Sequence, residues 1–304
     1  MLFITGITGL TGRYLYEILI EKGVKEKNIR CMVRETSDYS WLVKAGVEVC
    51  FGDAYSRDDL SRCMKGATRV IHLVNIRCVP QVIEACKISG VRRVILISTT
   101  GIYSKFNAYG EQYRKLEREL VESSLDYTII RPTMIYGNKR DKNIHRLINV
   151  AKRTPIFPII GTGANLFQPI YAKDLAQAIY NAVVRDISVN KAYDVSGKYP
   201  ISYQEMLAEI YKNLDKSPIF LHVPFLLAQV AAKIGDAIPR LLVNSERVNR
   251  LKEDKDYDHS LAKAELDFNP LSFQEGVRNE IRSMNIKVET RLGDYNEKTN
   301  SSSV

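Results

Sequence analysis

Residues 1 to about 135 alternate between short apolar runs and amphipathic segments, and this alternation limits the fold more than any other feature of the chain. The apolar runs predict six strands: LFIT, IRCMVR, VEVCFGD, TRVIHLVN, VRRVILISTT and DYTIIRP. The segments between them predict helices, among them GRYLYEILIEKG, PQVIEACKISG and EQYRKLERELVESS. Because parallel strands need a crossover between them, the alternation indicates a parallel sheet with helices on both faces.

The chain has 304 residues, more than most single compact cores take. After Pro132 the pattern changes to smaller units, so we expect a second and smaller lobe. The sequence predicts an α/β protein with a doubly wound parallel sheet in residues 1–135 plus parts of 136–195. The smaller C-terminal α/β lobe is expected in about 136–170 and 195–285, and a flexible polar tail in 288–304.

Three glycines at intervals of three, Gly6, Gly9 and Gly12, follow the first strand in FITGITGLTG. Glycine permits a tight turn and a close approach of the backbone to a phosphate, and the N–H groups at a helix start attract negative charge. A strand, a glycine turn and a helix in this order predict a site for the pyrophosphate of a dinucleotide in a Rossmann-type sheet. The spacing is GxxGxxG rather than the commoner GxGxxG.

The end of the second strand bears on which dinucleotide binds. An arginine there accepts the 2′-phosphate of NADP, whereas an acidic residue binds the ribose hydroxyls of NAD. The strand ends MVRE, so Arg34, together with Arg13 after the last glycine, favours NADP(H). Glu35 keeps NAD(H) open. Asp53, in FGDAY at the end of the third strand, is predicted beside the adenine, or else it is an ordinary turn residue.

Composition narrows the function further. The net charge is +9, but the basic residues are scattered, which favours anionic small molecules over nucleic acid. The five cysteines form no CxxC pair, and we expect small buried side chains in a reducing compartment rather than zinc ligands or disulfides. The four histidines are far apart in sequence, so no metal site is predicted.

Targeting signals are weak. MLFITGITGL has no basic start, so the sequence predicts a cytoplasmic protein without a signal peptide. The most apolar late stretch, PIFLHVPFLLAQVAAKI, contains prolines and a lysine and falls short of a membrane span. It is expected to form a buried or partly exposed helix, with peripheral membrane contact left open.

The motifs TGITGLTG, MVR, VEVCFGD, RVIHLV, GVRRVILISTT, LDYTIIRPTMIYG and QPIYAKDLAQAI, in this order, resemble the extended and atypical short-chain dehydrogenase/reductases. The resemblance is greatest to the NAD(P)-dependent epimerase/dehydratase group that acts on nucleotide sugars, and it covers about residues 1–285. It implies that these residues contact the cofactor: Gly6, Thr8, Gly9, Leu10, Thr11, Gly12, Arg13, Arg34, Asp53, Ala54, Leu73, Val74, Lys115 and Thr133.

The resemblance also implies a catalytic Tyr with a Lys four residues later on one helix, and a Ser or Thr at the end of the fifth strand. Matching the segment from Lys115 to Arg131 puts Lys115 at the lysine position and Glu111 at the tyrosine position. Tyr109, or less favourably Tyr103, is one substitute for the tyrosine, and Glu111 itself is another. Thr99 and Thr100 take the hydroxyl position at the strand end.

Substrate contacts are expected between the two lobes. Arg140, Lys142, Asn143, His145 and Arg146 form a basic cluster suited to a diphosphate, or else a solvated helix face. Gln168 in FQPIY resembles a residue where the second lobe meets the first.

Two functions remain open from the sequence. One is an NAD(P)-dependent epimerase, dehydratase or ketoreductase acting on a nucleotide sugar or a related carbonyl compound. The alternative is a dinucleotide-binding sensor or assembly protein without turnover, favoured by the missing tyrosine. A third, weaker interpretation is a quinone- or isoflavone-type reductase. The oligomeric state, monomer or homodimer, is left open.

Overall fold

The protein is a two-lobed α/β molecule in a computed structural model that describes residues 1–237 and 245–284. The strands are β1 (Leu2–Thr5), β2 (Ile29–Val33), β3 (Glu48–Phe51), β4 (Arg69–His72), β5 (Arg93–Ile97), β6 (Asp126–Pro132), β7 (Ile135–Tyr136), β8 (Ile156–Ile160), β9 (Leu166–Phe167), β10 (Ile170–Tyr171), β11 (Lys191–Val195), β12 (Ile201–Ser202) and β13 (Ile219–Val223). The helices are α1 (Leu10–Glu21), α2 (Ser40–Lys44), α3 (Arg57–Met64), α4 (Val79–Ser89), α5 (Gly110–Val121), α6 (Ile144–Arg153), α7 (Ala172–Val184), α8 (Tyr203–Lys212), α9 (Phe225–Ala237), α10 (Ser245–Asn249), α11 (Ser260–Leu266) and α12 (Phe273–Ser283).

Seven parallel strands form the main sheet in the order β11-β6-β5-β4-β1-β2-β3. Helices α1 and α7 pack on one face and α3, α4 and α5 on the other, each over its own apolar core. This confirms the doubly wound parallel sheet and its six predicted strands. The strand order reverses beside β1, so the loops after β1 and β4 face each other at the carboxyl edge, where such sheets bind ligands.

The sequence analysis did not recognise the seventh strand. It predicted only smaller units after Pro132, whereas β11 pairs in parallel with β6 at the edge of the main sheet. Residues Ala262, Leu266 and Phe268 also pack into the core beneath α1 and α7, although they lie within the range expected for the smaller lobe. The chain therefore returns to the main sheet after the small lobe has begun.

The smaller lobe has a separate core between α6, α8, α12 and the strand pair β8–β13. Its buried residues include Ile148, Phe157, Met206, Tyr211 and Val277. Two of its helices begin with a capping box, at Ser202 and Ser272, each satisfying backbone N–H groups at the helix start. The predicted tail, 288–304, lies entirely outside the described residues.

The expectation for the cysteines was wrong for two of the five. Cys50 on β3 and Cys63 on α3 form a disulfide, while Cys31, Cys78 and Cys86 are free and buried as expected. The two paired residues are 13 apart in sequence, but α3 folds back on β3 and brings their Cα atoms to 5.9 Å, within the range that a disulfide spans. Spacing alone gave no sign of this, because the contact is made by tertiary packing.

Candidate active site

The glycine turn after β1 has the shape of a phosphate cradle. Gly6 has a φ of +77°, in the left-handed region that favours glycine, and a Cβ on Gly12 would lie 2.4 Å from the carbonyl oxygen of Ile7. Gly9 precedes α1 without a side-chain cap, and the first turn of α1 has no acidic residue. The N–H groups of that turn are therefore left for an anion, and the cradle fits a dinucleotide pyrophosphate.

A cavity of about 180 Å³ extends from this cradle between the ends of β2 and β3. Arg34, Asp53 and Ala54 line it together with Thr8 and Val74, whereas Glu35 does not. Arg34 is exposed, and within the described residues its guanidinium has no hydrogen-bond or ion-pair partner. Asp53 accepts a hydrogen bond from the N–H of Tyr55 at 3.0 Å, so its carboxylate also shapes the turn.

Arg13 and Arg140 lie together beside the glycine turn. Both guanidinium groups contact Asp38, at 2.7 and 3.3 Å, and Arg13 also stacks 4.3 Å from the centroid of the Trp41 ring. Arg140 donates to the carbonyl of Thr8 at 2.9 Å. Burial, and then the charge of Arg140, lower the pKa of Arg13. Arg140 was expected at the substrate, but the loop after β7 carries it to the cofactor cradle.

A larger cavity of about 680 Å³ continues along the sheet edge. Leu73 and Val74 line it with Thr99, Tyr109 and Tyr113. It shares Val74 with the cavity beside Arg34, and it shares Thr99, Gly101 and Arg250 with a third cavity of about 340 Å³ between the lobes. The three cavities thus form one row, which begins at the cradle and ends at the smaller lobe.

The third cavity contains most of the remaining candidate residues. Thr99, Thr100, Thr133, Asn143 and Gln168 all line it. Arg146, by contrast, is exposed on α6 and does not line it. The residues of the expected basic cluster are therefore not together. Arg140 lies beside the glycine turn, whereas Asn143, three residues later, lines the third cavity.

Several of these polar groups are already bonded within the protein. The Gln168 side chain donates to the carbonyl of Gly197 at 2.8 Å and accepts from the N–H of Tyr257 at 2.8 Å. Thr133 donates its hydroxyl to the carbonyl of Gln168 at 2.6 Å. Gln168 and Thr133 thereby join the lobes and shape the cavity wall.

Two cations of this cavity were missed by the sequence analysis. Arg250 and Lys255 belong to the segment after α10, which was not assigned a role. Lys255 donates to the carbonyl of Arg250 at 2.6 Å and lies 4.5 Å from the centroid of Phe167, and its burial lowers the pKa of its amine to about 8. The basic residues of RVNRLKEDK were visible in the sequence, but their position beside Thr99 depends on the tertiary fold.

Helix α5 corrects the catalytic assignment. Tyr109, which precedes the helix and is 48% exposed, Tyr113 and the buried Glu117 follow one another at intervals of four residues, and the two tyrosines line the cavity at the sheet edge. Lys115 is exposed, since two residues from Tyr113 correspond to about 200° around a helix. Glu111 is exposed too. The geometry therefore does not fit Lys115 and Glu111 as a catalytic pair.

Tyr109 and Tyr113 are also spaced by four residues, and both line the cavity at the sheet edge, whereas Glu111 and Lys115 do not. The side of α5 that borders this cavity therefore carries two tyrosines and no lysine. The signal that would have found this was the helical period, because Tyr113, Leu116 and Leu120 define the inward face of α5 and Lys115 lies off it.

Glu117 fixes α5 to the sheet. Its carboxylate accepts hydrogen bonds from the Ser98 hydroxyl at 2.5 Å and from Arg131 on β6, with the shortest contact 2.6 Å. Arg131 also donates to the hydroxyl of Tyr103 at 2.9 Å, and Tyr103 donates to Asp194 at 2.9 Å. Burial, then Asp194, raises the pKa of Tyr103 to about 12. Tyr103 thus belongs to a structural network and is a poor proton donor for catalysis.

A cation does lie beside Tyr109 and Tyr113. Arg77, in the 3-10 turn after β4, places its guanidinium carbon 4.1 Å from the ring centroid of Tyr109 and 5.7 Å from that of Tyr113. The two tyrosine rings are stacked with centroids 6.2 Å apart. The short segment between Val74 and Pro80 supplies Arg77.

The two threonines at the end of β5 differ in whether their hydroxyl groups can donate a hydrogen bond to a ligand. Thr100 is buried and donates to the carbonyl of Pro132 at 3.3 Å. The oxygen of Thr99 accepts from the N–H of Gly101 at 3.0 Å, which leaves its hydroxyl hydrogen for another acceptor, and Thr99 lines both neighbouring cavities. Thr99 is therefore the better placed to meet a substrate oxygen.

Within residues 1–237 and 245–284, no three His, Cys, Asp or Glu side chains are grouped in a way that would hold a metal ion. Over the same residues, no helix has the length and apolar character to cross a bilayer.

Comparison with known proteins agrees with this site. A family described as NAD(P)H-binding matches residues 6–183. Over 229 residues the chain is 23% identical to N-acetyl-alpha-D-glucosaminyl-diphospho-ditrans,octacis-undecaprenol 4-epimerase of Escherichia coli O157:H7, covering 67% of each chain. It is 24% identical to the mitochondrial NADH dehydrogenase [ubiquinone] 1 alpha subcomplex subunit 9 of Arabidopsis thaliana, covering 76% of this chain and 62% of that one. A third curated relative, 3beta-hydroxysteroid-dehydrogenase/decarboxylase isoform 2 of Arabidopsis thaliana, is much longer than the matched region, which covers 54% of that protein.

Among solved structures, the NADPH complex of the quinone oxidoreductase QOR2 from Escherichia coli superposes with a TM-score of 0.75. The identity is 21%, and the match covers 91% of this chain and 98% of that one, which shows a shared fold. The chain belongs to the NAD(P)H-binding family. Within it, the chain is a member of the extended short-chain dehydrogenase/reductases, the class of NAD(P)-dependent epimerases, dehydratases and reductases, as its motifs predicted.

Proposed function

We propose that the protein is an NADPH-dependent enzyme that interconverts a hydroxyl and a carbonyl group on an anionic substrate of the nucleotide-sugar class. The row of three cavities from the glycine cradle to the smaller lobe carries this proposal, because it offers one continuous site for a dinucleotide and a second ligand. The cradle and the exposed Arg34 support NADPH over NADH. Arg250 and Lys255 support a negatively charged substrate.

The chemistry follows from the position of each side chain. NADPH, when bound, supplies the hydride. Thr99, which lines both cavities, donates a hydrogen bond to the substrate oxygen. Tyr109 gives a proton to that oxygen in reduction and takes it back in oxidation. Arg77, 4.1 Å from the centre of the Tyr109 ring, stabilises the negative charge that develops when the phenol loses its proton.

The test is a titration with NADPH and NADH followed by turnover with a panel of nucleotide sugars and other carbonyl compounds. In an active enzyme, Tyr109→Phe is expected to lower kcat by about 10²–10⁴-fold while NADPH still binds. Lys115→Ala is the matched variant on the opposite side of α5 and is expected to leave kcat unchanged. If Lys115→Ala abolished turnover and Tyr109→Phe did not, the assignment would be reversed.

The second candidate is a dinucleotide-binding protein without turnover. It is favoured by the side of α5 that borders the cavity at the sheet edge, which carries two tyrosines and no lysine, and the likeness to a subunit of NADH dehydrogenase is consistent with it. Tight NADPH binding without NADPH oxidation on any carbonyl substrate would support this candidate. Steady oxidation that depends on Tyr109 would eliminate it.

A further inference from the structure

The outer face of the strand pair β8–β13 is apolar. Along β8, Ile156 and Pro158 are exposed and alternate with the buried Phe157 and Ile159. The parallel register places Ile219 beside Ile156, and Leu221 beside Pro158, and both partners are exposed. A solvent-facing sheet surface normally carries polar side chains, so this surface is unusual for one that faces water.

Helix α9 extends the same surface. Ala228 and Ala232 face inward and pack on Val248, whereas Leu226, Leu227 and Val230 are 70%, 59% and 54% exposed. Its first two turns are thus apolar on both sides, a pattern that is typical of a helix covered by a second apolar phase. We call the exposed side chains of Ile156, Ile219, Leu221, Leu226, Leu227 and Val230 the apolar face.

Basic residues adjoin the apolar face. Lys152 and Arg153 lie just before β8, at the end where the parallel strands begin, and Lys216 lies just before β13 with its amine donating to the carbonyls of Ala151 and Lys152. Lys233 is on α9 three residues after Val230. The segments 152–160 and 215–233 contain only one acidic residue, Asp215. A rim of this sign is complementary to an anionic surface.

The apolar face also reaches the substrate cavity. Lys252 places its amine 4.6 Å from the ring centroid of Phe225, the first residue of α9. The two preceding residues, Arg250 and Leu251, line the cavity between the lobes. A surface bound to this face would therefore lie beside the cavity.

We propose that the apolar face docks the protein on an anionic lipid bilayer, with the exposed leucines at the headgroup–acyl boundary and the lysines on acidic headgroups. Apolar burial combined with attraction of Lys and Arg to anionic lipid is the general basis of peripheral binding. A second copy of the chain fits less well, since a two-fold contact through this face would bring two basic rims together.

The experiment is flotation of the full chain with vesicles of phosphatidylcholine alone and with vesicles containing about one third phosphatidylglycerol. Binding is expected on the anionic vesicles only. Leu226→Asp with Leu227→Asp is expected to abolish binding, and Lys152→Gln with Lys233→Gln, both exposed, to weaken it on the order of tenfold. Ile88→Asp is the matched control, because Ile88 on α4 is 63% exposed but lies outside the apolar face.

Circular dichroism and NADPH titration of each variant establish that it is folded. Absence of binding to both kinds of vesicle, or equal binding by the double leucine variant, would overturn the proposal. So would a dimer in light scattering that the leucine substitutions dissociate, because the occupant would then be a second copy. NADPH binding is independent of these outcomes, so failure here leaves the proposed enzyme function standing.

Discussion

At the scale of single residues, Arg34 is expected to decide which cofactor binds. It is exposed at the cavity beside the glycine cradle, and within the described residues its charge has no partner. Arg34→Ala is therefore expected to weaken NADPH binding by about 10–100-fold, equivalent to a lost charged hydrogen bond of about 1.5–3 kcal/mol. NADH affinity is expected to stay the same, and fluorescence titration with both cofactors measures the difference.

Glu35→Gln is the neighbouring control for Arg34. Glu35 is exposed but does not line the cavity, so its substitution is expected to leave both affinities unchanged. A gain in NADPH affinity or a loss in NADH affinity in Glu35→Gln would show that the Glu35 carboxylate, and not the Arg34 guanidinium, contacts the adenosine ribose.

Glu280 on α12 gives a pH-dependent prediction. It is fully buried, and the backbone of Gly137 offsets the effect of that burial on its carboxylate only in part. Burial, followed by the nearby Asp141, raises the pKa of Glu280 to about 9, so the folded protein holds this proton up to that pH. Because the unfolded chain releases the proton near the ordinary pKa, this site lowers the free energy of unfolding as pH rises from about 4.5 to 9.

Glu280→Gln is expected to remove this fall in the free energy of unfolding with rising pH, because glutamine stays neutral. The variant is expected to be more stable than the wild type at pH 8 by about 1–3 kcal/mol and to approach it below pH 5. Urea unfolding across this pH range measures the difference. A gap that is constant with pH, or one that grows toward acid, would show that Glu280 is ionised in the folded state.

Helix α5 illustrates what residue-level comparison misses. Lys115 was assigned from its distance along the chain to Arg131, but on a helix two residues of separation correspond to nearly opposite sides. Thr99, Tyr109 and Gly6 could be named from local sequence, and all three line the row of cavities. Arg77, Arg250 and Lys255 come from other parts of the chain and were not named.

At the scale of secondary structure, α5 is held against β6 by a buried ion pair. Glu117 and Arg131 meet at 2.6 Å with the Ser98 hydroxyl as a further partner. Glu117→Gln removes the nearer of the two carboxylates that contact Arg131 and leaves Asp194 at 3.7 Å, and it is expected to lower the free energy of unfolding by about 3 kcal/mol. Thermal unfolding measures it.

Glu122→Gln is the control on the same helix, because Glu122 is exposed at the end of α5 and its loss is expected to leave the melting temperature unchanged. An equal fall in both variants would mean that charge on α5 in general, and not the buried pair, stabilises the protein. If Glu117→Gln alone were neutral, the ion pair would be no better than the hydrogen bond that glutamine retains.

Elements with a strong local pattern were predicted well. The six strands of the first half and the helices between them were clear from apolar runs and glycine ends. Strand β11 was not recognised because its five residues show no pattern that distinguishes a strand from a loop. Its pairing with β6 depends on residues that are far away in sequence. Helices α2 and α10, of five residues each, are too short to show a period.

At the scale of the whole molecule, the row of three cavities runs from the glycine cradle to the smaller lobe, and hydrogen bonds of Gln168 with Thr133 and Tyr257 connect the walls at its far end. A ligand that binds only the folded chain adds about 2.7 kcal/mol at a concentration of 100 times its Kd. Saturating NADPH is therefore expected to raise the melting temperature by about 5 °C, as measured by calorimetry.

Arg34→Ala provides the matched control for this shift, since at the same NADPH concentration its higher Kd gives a smaller rise. An unchanged melting temperature in the wild type at saturating NADPH would contradict the assignment of the cradle. An equal rise in both proteins would place the cofactor away from Arg34.

The sequence by itself determined the parallel sheet, the glycine cradle and the family, because these depend on periodicity and on residues that are neighbours in the chain. Only the tertiary structure decided which face of α5 borders the cavity at the sheet edge, that Arg140 covers the glycine turn, that Cys50 reaches Cys63, and that Arg250 and Lys255 line the cavity between the lobes. Each of those contacts joins residues whose distance depends on how helices and loops pack, and packing depends on the whole core rather than on any local run of residues.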